Sequence, residues 1–106
     1  MNIIIVGAGK IGFTLTQYLT REGHDVTVID RKSDRITLVN TTLDAITISG
    51  EVDVELLRLA GAADADLLIA ATDSDESNIL CCMMGRKLGA KHTVARVRQR
   101  NHYDGG

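Results

Sequence analysis

Proline is absent from this 106-residue chain, tryptophan is absent too, and aromatic residues make up only 3% of it. No proline kink or X-Pro isomerisation therefore enters the fold, and the interior has to be built from Ile, Leu, Val, Ala and Met. No apolar stretch approaches the ~20 residues of a membrane-spanning helix, and none resembles a secretory leader ahead of Ile3. A formal charge of −2 gives no electrostatic case for a nucleic-acid partner. The two cysteines, Cys81 and Cys82, are adjacent in a helical pattern, where successive side chains diverge by about 100°. They read as small buried hydrophobes in a reducing compartment, with a redox role as the lesser alternative. No His or Cys stands near them at metal-site spacing. These features point to a cytoplasmic chain of about one domain.

The glycines are informative. Gly7-Ala8-Gly9-Lys10-Ile11-Gly12 is a G-x-G-x-x-G run directly after the apolar segment Ile3-Ile4-Ile5-Val6. In such a turn the first glycine permits the tight exit from a strand. The second lets a pyrophosphate approach the main chain, and the third lets the helix pack closely. The helix that opens there offers free N–H groups to phosphate oxygens. A second apolar run, Val26 to Ile29, ends at Asp30, which comes 18 residues after Gly12. That matches the ~20-residue spacing of an acid that binds ribose hydroxyls. The alternative is a β-α-β unit without a ligand, with Asp30 capping the next helix.

Further along, apolar runs alternate with helical patterns. Strands are predicted over 2–6, 25–29, 45–48, 66–71 and 93–97. Helices are predicted over 10–22, 33–42, 53–60 and 73–88. Ser33 caps the second helix and an Asp73-x-x-Glu76 capping box opens the fourth. Ile11, Leu15, Tyr18 and Leu19 form the inward stripe of the first helix, Ile36 and Val39 of the second, and Leu80, Met84 and Leu88 of the fourth. Gly23, Gly61 and Gly89 stop the helices. Strict alternation implies a Rossmann-like α/β fold, a parallel sheet with helices on both faces and strand order 3-2-1-4-5. Residues 1–98 then form the nucleotide-binding domain, and 99–106 a tail or the truncated start of a further segment.

Ligands of open parallel sheets bind at the carboxyl ends of the strands. That edge collects Gly7 to Gly12, Asp30, Arg31, Ser49, Gly50, Glu51, Thr72, Asp73, Ser74, Arg96 and Arg98. Lys10 either reaches phosphate oxygens or is a solvated surface lysine. Arg31 stacks on adenine or touches a 2′-phosphate, which Asp30 would repel, favouring NAD(H) over NADP(H). Glu51 either accepts from an adenine amino group or is a helix-terminal charge. Asp73 is explained by its capping box with Glu76, or a ligand lies near Asp73 and Ser74. Arg96, in an apolar strand, meets either a phosphate or the Asp73 loop; alternation puts Arg98 and Arg100 on its face. Phe13, Met83 and Met84 belong to the core or to a pairing surface. His24 and His92 precede strands at the opposite edge, and His102 lies in the tail, so no catalytic histidine is placed at the site. No substrate domain remains either, so a non-enzymatic module is expected, with the truncated cofactor domain of an oxidoreductase as the alternative.

Five stretches carry a family resemblance: IIIVGAGKIG, GHDVTVID, LLRLAGAADADLLIAAT, DSDESN and VARVR. With them, the chain resembles the N-terminal nucleotide-binding domain, RCK or KTN, of Trk/Ktr-type potassium-uptake regulatory proteins. The resemblance covers nearly all of residues 2–98. It implies binding of NAD(H), or of ATP and ADP, at Gly7 to Ile11, Asp30, Glu51, Asp73, Ser74 and Arg96. Glu51 stands where many relatives carry aspartate. The resemblance also implies a homodimer or higher oligomer that controls a membrane potassium-translocating subunit from the inner face of the cell membrane.

Overall fold

A computed structural model describes residues 1–98 of the chain. Five strands alternate with four helices: β1 (Asn2–Val6), α1 (Lys10–Arg21), β2 (Asp25–Asp30), α2 (Ser33–Thr42), β3 (Ile46–Ser49), α3 (Val54–Leu59), β4 (Leu67–Ala70), α4 (Asp75–Leu88) and β5 (His92–Ala95). A single turn of 3₁₀ helix, Ala62–Asp64, which the sequence reading does not anticipate, joins α3 to β4. All neighbouring strands pair in parallel, in the order β3-β2-β1-β4-β5. The predicted α/β, Rossmann-like architecture and strand order are those observed.

β1 is central and buried on both faces. Ile3 and Ile5 join Val26, Val28 and Val39, with Phe13, Leu15, Leu19 and Ile36 of α1 and α2 packed against them. Ile4 and Val6 point the other way, into Ile29, Leu57, Leu68, Cys81 and Cys82, the side covered by α3 and α4. Alternation of side chains along a strand produces this partition. Both cysteines are free thiols inside the second core.

The helices meet the sheet through smaller residues than the periodicity suggests. In α1 the buried positions are Gly12 and Thr16, whereas Ile11 and Tyr18, predicted inward, are exposed. A Cβ on Gly12 would lie 1.7 Å from the Gly7 carbonyl oxygen, so only glycine permits this approach. In α4 the buried face is Asp75, Asn78, Cys81, Cys82 and Gly85. Leu80, also predicted inward, is exposed, while Met84 and Leu88 do pack on the core. Met83 is exposed and Phe13 partly buried.

The caps differ from expectation as well. Ser33 is the first residue of α2 and makes no capping bond. At α4 the Ser74 hydroxyl, not Asp73, accepts from the amide of Ser77. Asp53 caps α3 by accepting from the amide of Leu56. Arg96 follows β5 instead of lying within it, so strand alternation does not govern Arg96 and Arg98, and Arg100 and His102 lie outside the described residues.

Asn78 fastens three elements at the ligand edge. It is fully buried, and its carboxamide makes four contacts. Its oxygen accepts from the Thr72 amide at 2.9 Å and from the Thr72 hydroxyl at 2.6 Å. Its nitrogen donates to the carbonyls of Thr72 at 3.1 Å and Arg96 at 2.9 Å. The end of β4, the body of α4 and the exit from β5 are thereby held together. Asn78→Leu keeps the volume but orphans these main-chain groups. It is expected to lower stability in urea unfolding by at least the ~1–3 kcal/mol that one unsatisfied buried group costs.

At the opposite edge Asp66 accepts from the Asn2 amide at 2.8 Å and pairs with Lys91 at 3.3 Å. The main-chain donor first, and then Lys91, hold its carboxyl below its ordinary value of 3.8. A lowered folded pKa stabilises the fold above the unfolded value and loses that contribution as pH falls through the folded one. Asp66→Asn is therefore expected to be less stable than the parent near neutral pH. The difference should close in acid, below pH 3.8, when urea midpoints are compared across pH.

Candidate functional site

The order of the strands reverses beside β1, and a cleft of about 450 Å³ opens there at the carboxyl ends of the strands. That size suits a nucleotide-scale ligand. Its walls come from the turn after β1 (Gly7), the end of β2 (Asp30, Arg31, Lys32), the start of α2 (Arg35) and the turn after β3 (Gly50, Glu51, Val52). The segment after β4 (Thr72, Asp73, Ser74) and the inner face of α4 complete it.

Gly7 holds the turn out of β1 at φ 107°, and a Cβ there would come within 2.8 Å of the Ala71 carbonyl oxygen. Both the conformation and the space require glycine. The chain then enters α1 at Gly9, its N-cap, which offers no side-chain acceptor to the first-turn amides. Those amides have no intrahelical partner, and the helix dipole favours an anion beside them.

Asp30 is 7% exposed. Its Oδ2 accepts from the Ala8 amide at 2.7 Å and its Oδ1 from the Lys32 amide at 2.8 Å. The carboxylate thus ties the glycine turn to the end of β2. Each oxygen can accept a further hydrogen bond, and Asp30 lines the cleft.

The other predicted residues divide. Arg31 and Glu51 face each other at 3.9 Å, both largely exposed on the rim. Asp73 and Ser74 stand on the far wall. Arg96 reaches Asp73 at 4.0 Å, the ion-pair alternative of the sequence reading, and does not line the cleft. The Arg98 guanidinium donates to the Asp73 carbonyl, and the Arg98 amide donates to Asp75 at 3.1 Å. Ala8, Gly9, Lys10, Ile11 and Gly12 lie outside the cleft lining, with Lys10 and Ile11 exposed, Gly9 half-buried and Ala8 and Gly12 buried.

Thr72, expected at this edge after the fourth strand, does line the cleft, whereas sequence reasoning missed Arg35 and Asn78. Arg35 lies 3.7 Å from Asp30, and its closeness depends on how α2 leaves β2. Cys81 reaches the cleft floor, and burial, then the neighbouring Cys82, push its thiol up to about 12. Burial also raises the Cys82 thiol. Both stay protonated near neutral pH, as small apolar side chains do their packing. Among the described residues no three His, Cys, Asp or Glu side chains gather as a metal site, and no helix is long and apolar enough to cross a membrane.

The TrkA-N domain family matches residues 3–105. The Trk system potassium uptake protein TrkA of Halomonas elongata is 45% identical over 100 residues, covering 92% of this chain and 22% of that protein. The Trk system potassium uptake protein TrkA homolog of Methanothermobacter thermautotrophicus is 36% identical over 103 residues, covering 96% and 48%. The chain thus spans less than half the length of these relatives.

Among solved structures, the Shewanella denitrificans Kef CTD in AMP bound form superposes with a TM-score of 0.79 at 25% identity, over 96% of this chain and 62% of that one. A putative short chain dehydrogenase/reductase family oxidoreductase from Aeromonas hydrophila shares the fold, with a TM-score of 0.64 at 23% identity over 81% of this chain and 51% of its own. The family match decides between the two expectations for the chain, a regulatory module or an oxidoreductase fragment. The chain belongs to the TrkA-N domain family, a non-catalytic class of nucleotide-binding regulatory domains.

Proposed function

We propose that this domain binds NAD(H), with ATP or ADP as the alternative ligand, in the cleft beside β1. In this reading it passes the ligand state to a membrane potassium-translocating subunit. The observation that carries the ligand reading is the junction at Asp30. One carboxylate stands at the end of β2, hydrogen-bonded to the turn that opens α1. A ribose on Asp30 would direct its phosphates toward the first-turn amides of α1, where the helix dipole favours them. The AMP bound to the Kef domain is an adenine nucleotide on the same fold, which supports this class of ligand. Arg31, Glu51, Asp73 and Ser74 would border the base and the remainder of the ligand.

The potassium reading rests on family membership. A nucleotide changes the behaviour of a partner only if it binds two arrangements of the assembly with different affinity. Two or more copies in a homodimer or larger ring would supply those arrangements, in the cytoplasm at the inner face of the membrane.

Two measurements test these readings. In calorimetry, Asp30→Asn should weaken NADH about 10- to 100-fold, the range of a lost charge-assisted hydrogen bond. It should also narrow the preference for NADH over NADPH, since the carboxylate repels a 2′-phosphate. A folded parent chain with no affinity for NADH, ATP or ADP would overturn the ligand reading. In cells, deletion of the full gene should impair growth at low potassium, and Asp30→Asn in that gene should change the uptake rate. Unchanged uptake in the deletion strain, with no redundant system present, would overturn the transport reading.

A further inference from the structure

We propose that Arg35 is the phosphate-gripping side chain of the cleft, poised on Asp30 when no ligand is bound and transferred to the ligand's phosphate on binding. The inference rests on the nucleotide reading above and assigns that site a residue which the glycine motif does not include.

Arg35 is the third residue of α2, and its side chain extends back over the glycine turn. A Cβ placed on Gly9 would lie 3.4 Å from Nη1, 3.7 Å from Cζ and 3.8 Å from Nη2. Three nearly equal distances mean that the guanidinium plane lies face-on over the bare side of Gly9. This is the space a glycine leaves open for a diphosphate to approach the main chain. Arg35 and a bound phosphate would therefore be immediate neighbours.

The guanidinium is held loosely. Its ion pair with Asp30 Oδ2 is 3.7 Å long, beyond hydrogen-bonding distance, and the same oxygen already takes the Ala8 amide at 2.7 Å. Among the described residues no acceptor hydrogen-bonds any of its N–H groups, and the side chain is 35% exposed. The neighbouring arginines are otherwise engaged, while Lys10 in the glycine turn and Lys32 on the cleft wall enter no ion pair among the described residues. Arg31 faces Glu51 on the rim, Arg96 faces Asp73, and Arg98 donates to the Asp73 carbonyl.

A guanidinium presents a planar fork that fits two phosphate oxygens at once, which an ammonium cannot do. Rotation of Arg35 toward a phosphate costs one weak ion pair. It also removes a competing cation from Asp30 as ribose hydroxyls arrive. Ligands would then be ranked by their phosphates, with NADH and ADP above adenosine.

Calorimetry on the 106-residue chain with NADH, ADP, NADPH and adenosine tests this, comparing the parent with Arg35→Gln and Arg35→Lys, with urea midpoints to establish that each is folded. Arg35→Gln is expected to weaken NADH and ADP about 10- to 100-fold. Adenosine should change less than about twofold, and Arg35→Lys should recover part of the loss. NADH and ADP affinities unchanged in Arg35→Gln, with the parent binding normally, would overturn the proposal while leaving the nucleotide reading intact. An equal loss for adenosine would overturn it in favour of contact with the base or sugar. A loss confined to NADPH would overturn it in favour of a 2′-phosphate contact. A parent that binds none of the four would overturn both readings together.

Discussion

Asp30 accepts main-chain hydrogen bonds from Ala8 on one side and Lys32 on the other while remaining almost wholly enclosed. An enclosed carboxylate is costly unless donors surround it. Here the donors are the glycine turn and the entry to α2, so satisfying the charge also sets the relative positions of β1, α1, β2 and α2. The cleft inherits its shape from this arrangement. The acid that a ligand would meet is already immobilised, and little ordering remains to be done on binding. On the far wall Asn78 has the same role with a neutral group, fixing Thr72 and the exit of β5 against α4.

Close contact between helix and sheet is the second organising feature. Gly12 and Thr16 let α1 settle onto its side of the sheet. Gly85 does so for α4, where a Cβ would come within 2.7 Å of Leu68 Cδ1. The order of elements was legible in the sequence because uniform apolar runs separated by glycine-stopped helical patterns admit few arrangements. The faces of α1 and α4 were less legible for the same reason that the helices pack closely. A search for large apolar residues at helical spacing finds Leu15, Leu19, Met84 and Leu88, which do pack, but also selects Ile11, Tyr18 and Leu80, while the most buried positions include Gly12, Thr16 and Gly85, too small to register in such a pattern.

The site divides in the same way. Gly7, Asp30 and the residues that follow each strand could be placed because a parallel sheet assigns one edge to them. Local chemistry decided what topology could not. Ser74, one residue beyond the expected Asp73, caps α4, since its hydroxyl reaches the amide of Ser77. Arg96 turns to Asp73, and Arg35 crosses from one connection to another; no spacing rule encodes either reach. Asn78 reads as an ordinary polar residue in a helix until the end of β5 is seen beside it.

The apolar content of β1 has a consequence for strand alignment. Ile3, Ile4, Ile5 and Val6 are nearly interchangeable in volume, and the strand is buried on both faces. A slip of one residue would mostly replace isoleucine by isoleucine in both cores, so hydrophobic patterning discriminates weakly between alignments here. The ends of the strand are more selective. Asp66 holds the amide of Asn2 and Asp30 holds the amide of Ala8, at 2.8 and 2.7 Å. A slipped strand would forfeit both bonds and leave a nearly buried anion with one main-chain donor, Lys32, in place of two. Two acids, one beyond each end of an otherwise degenerate strand, thus act as end stops that set its register.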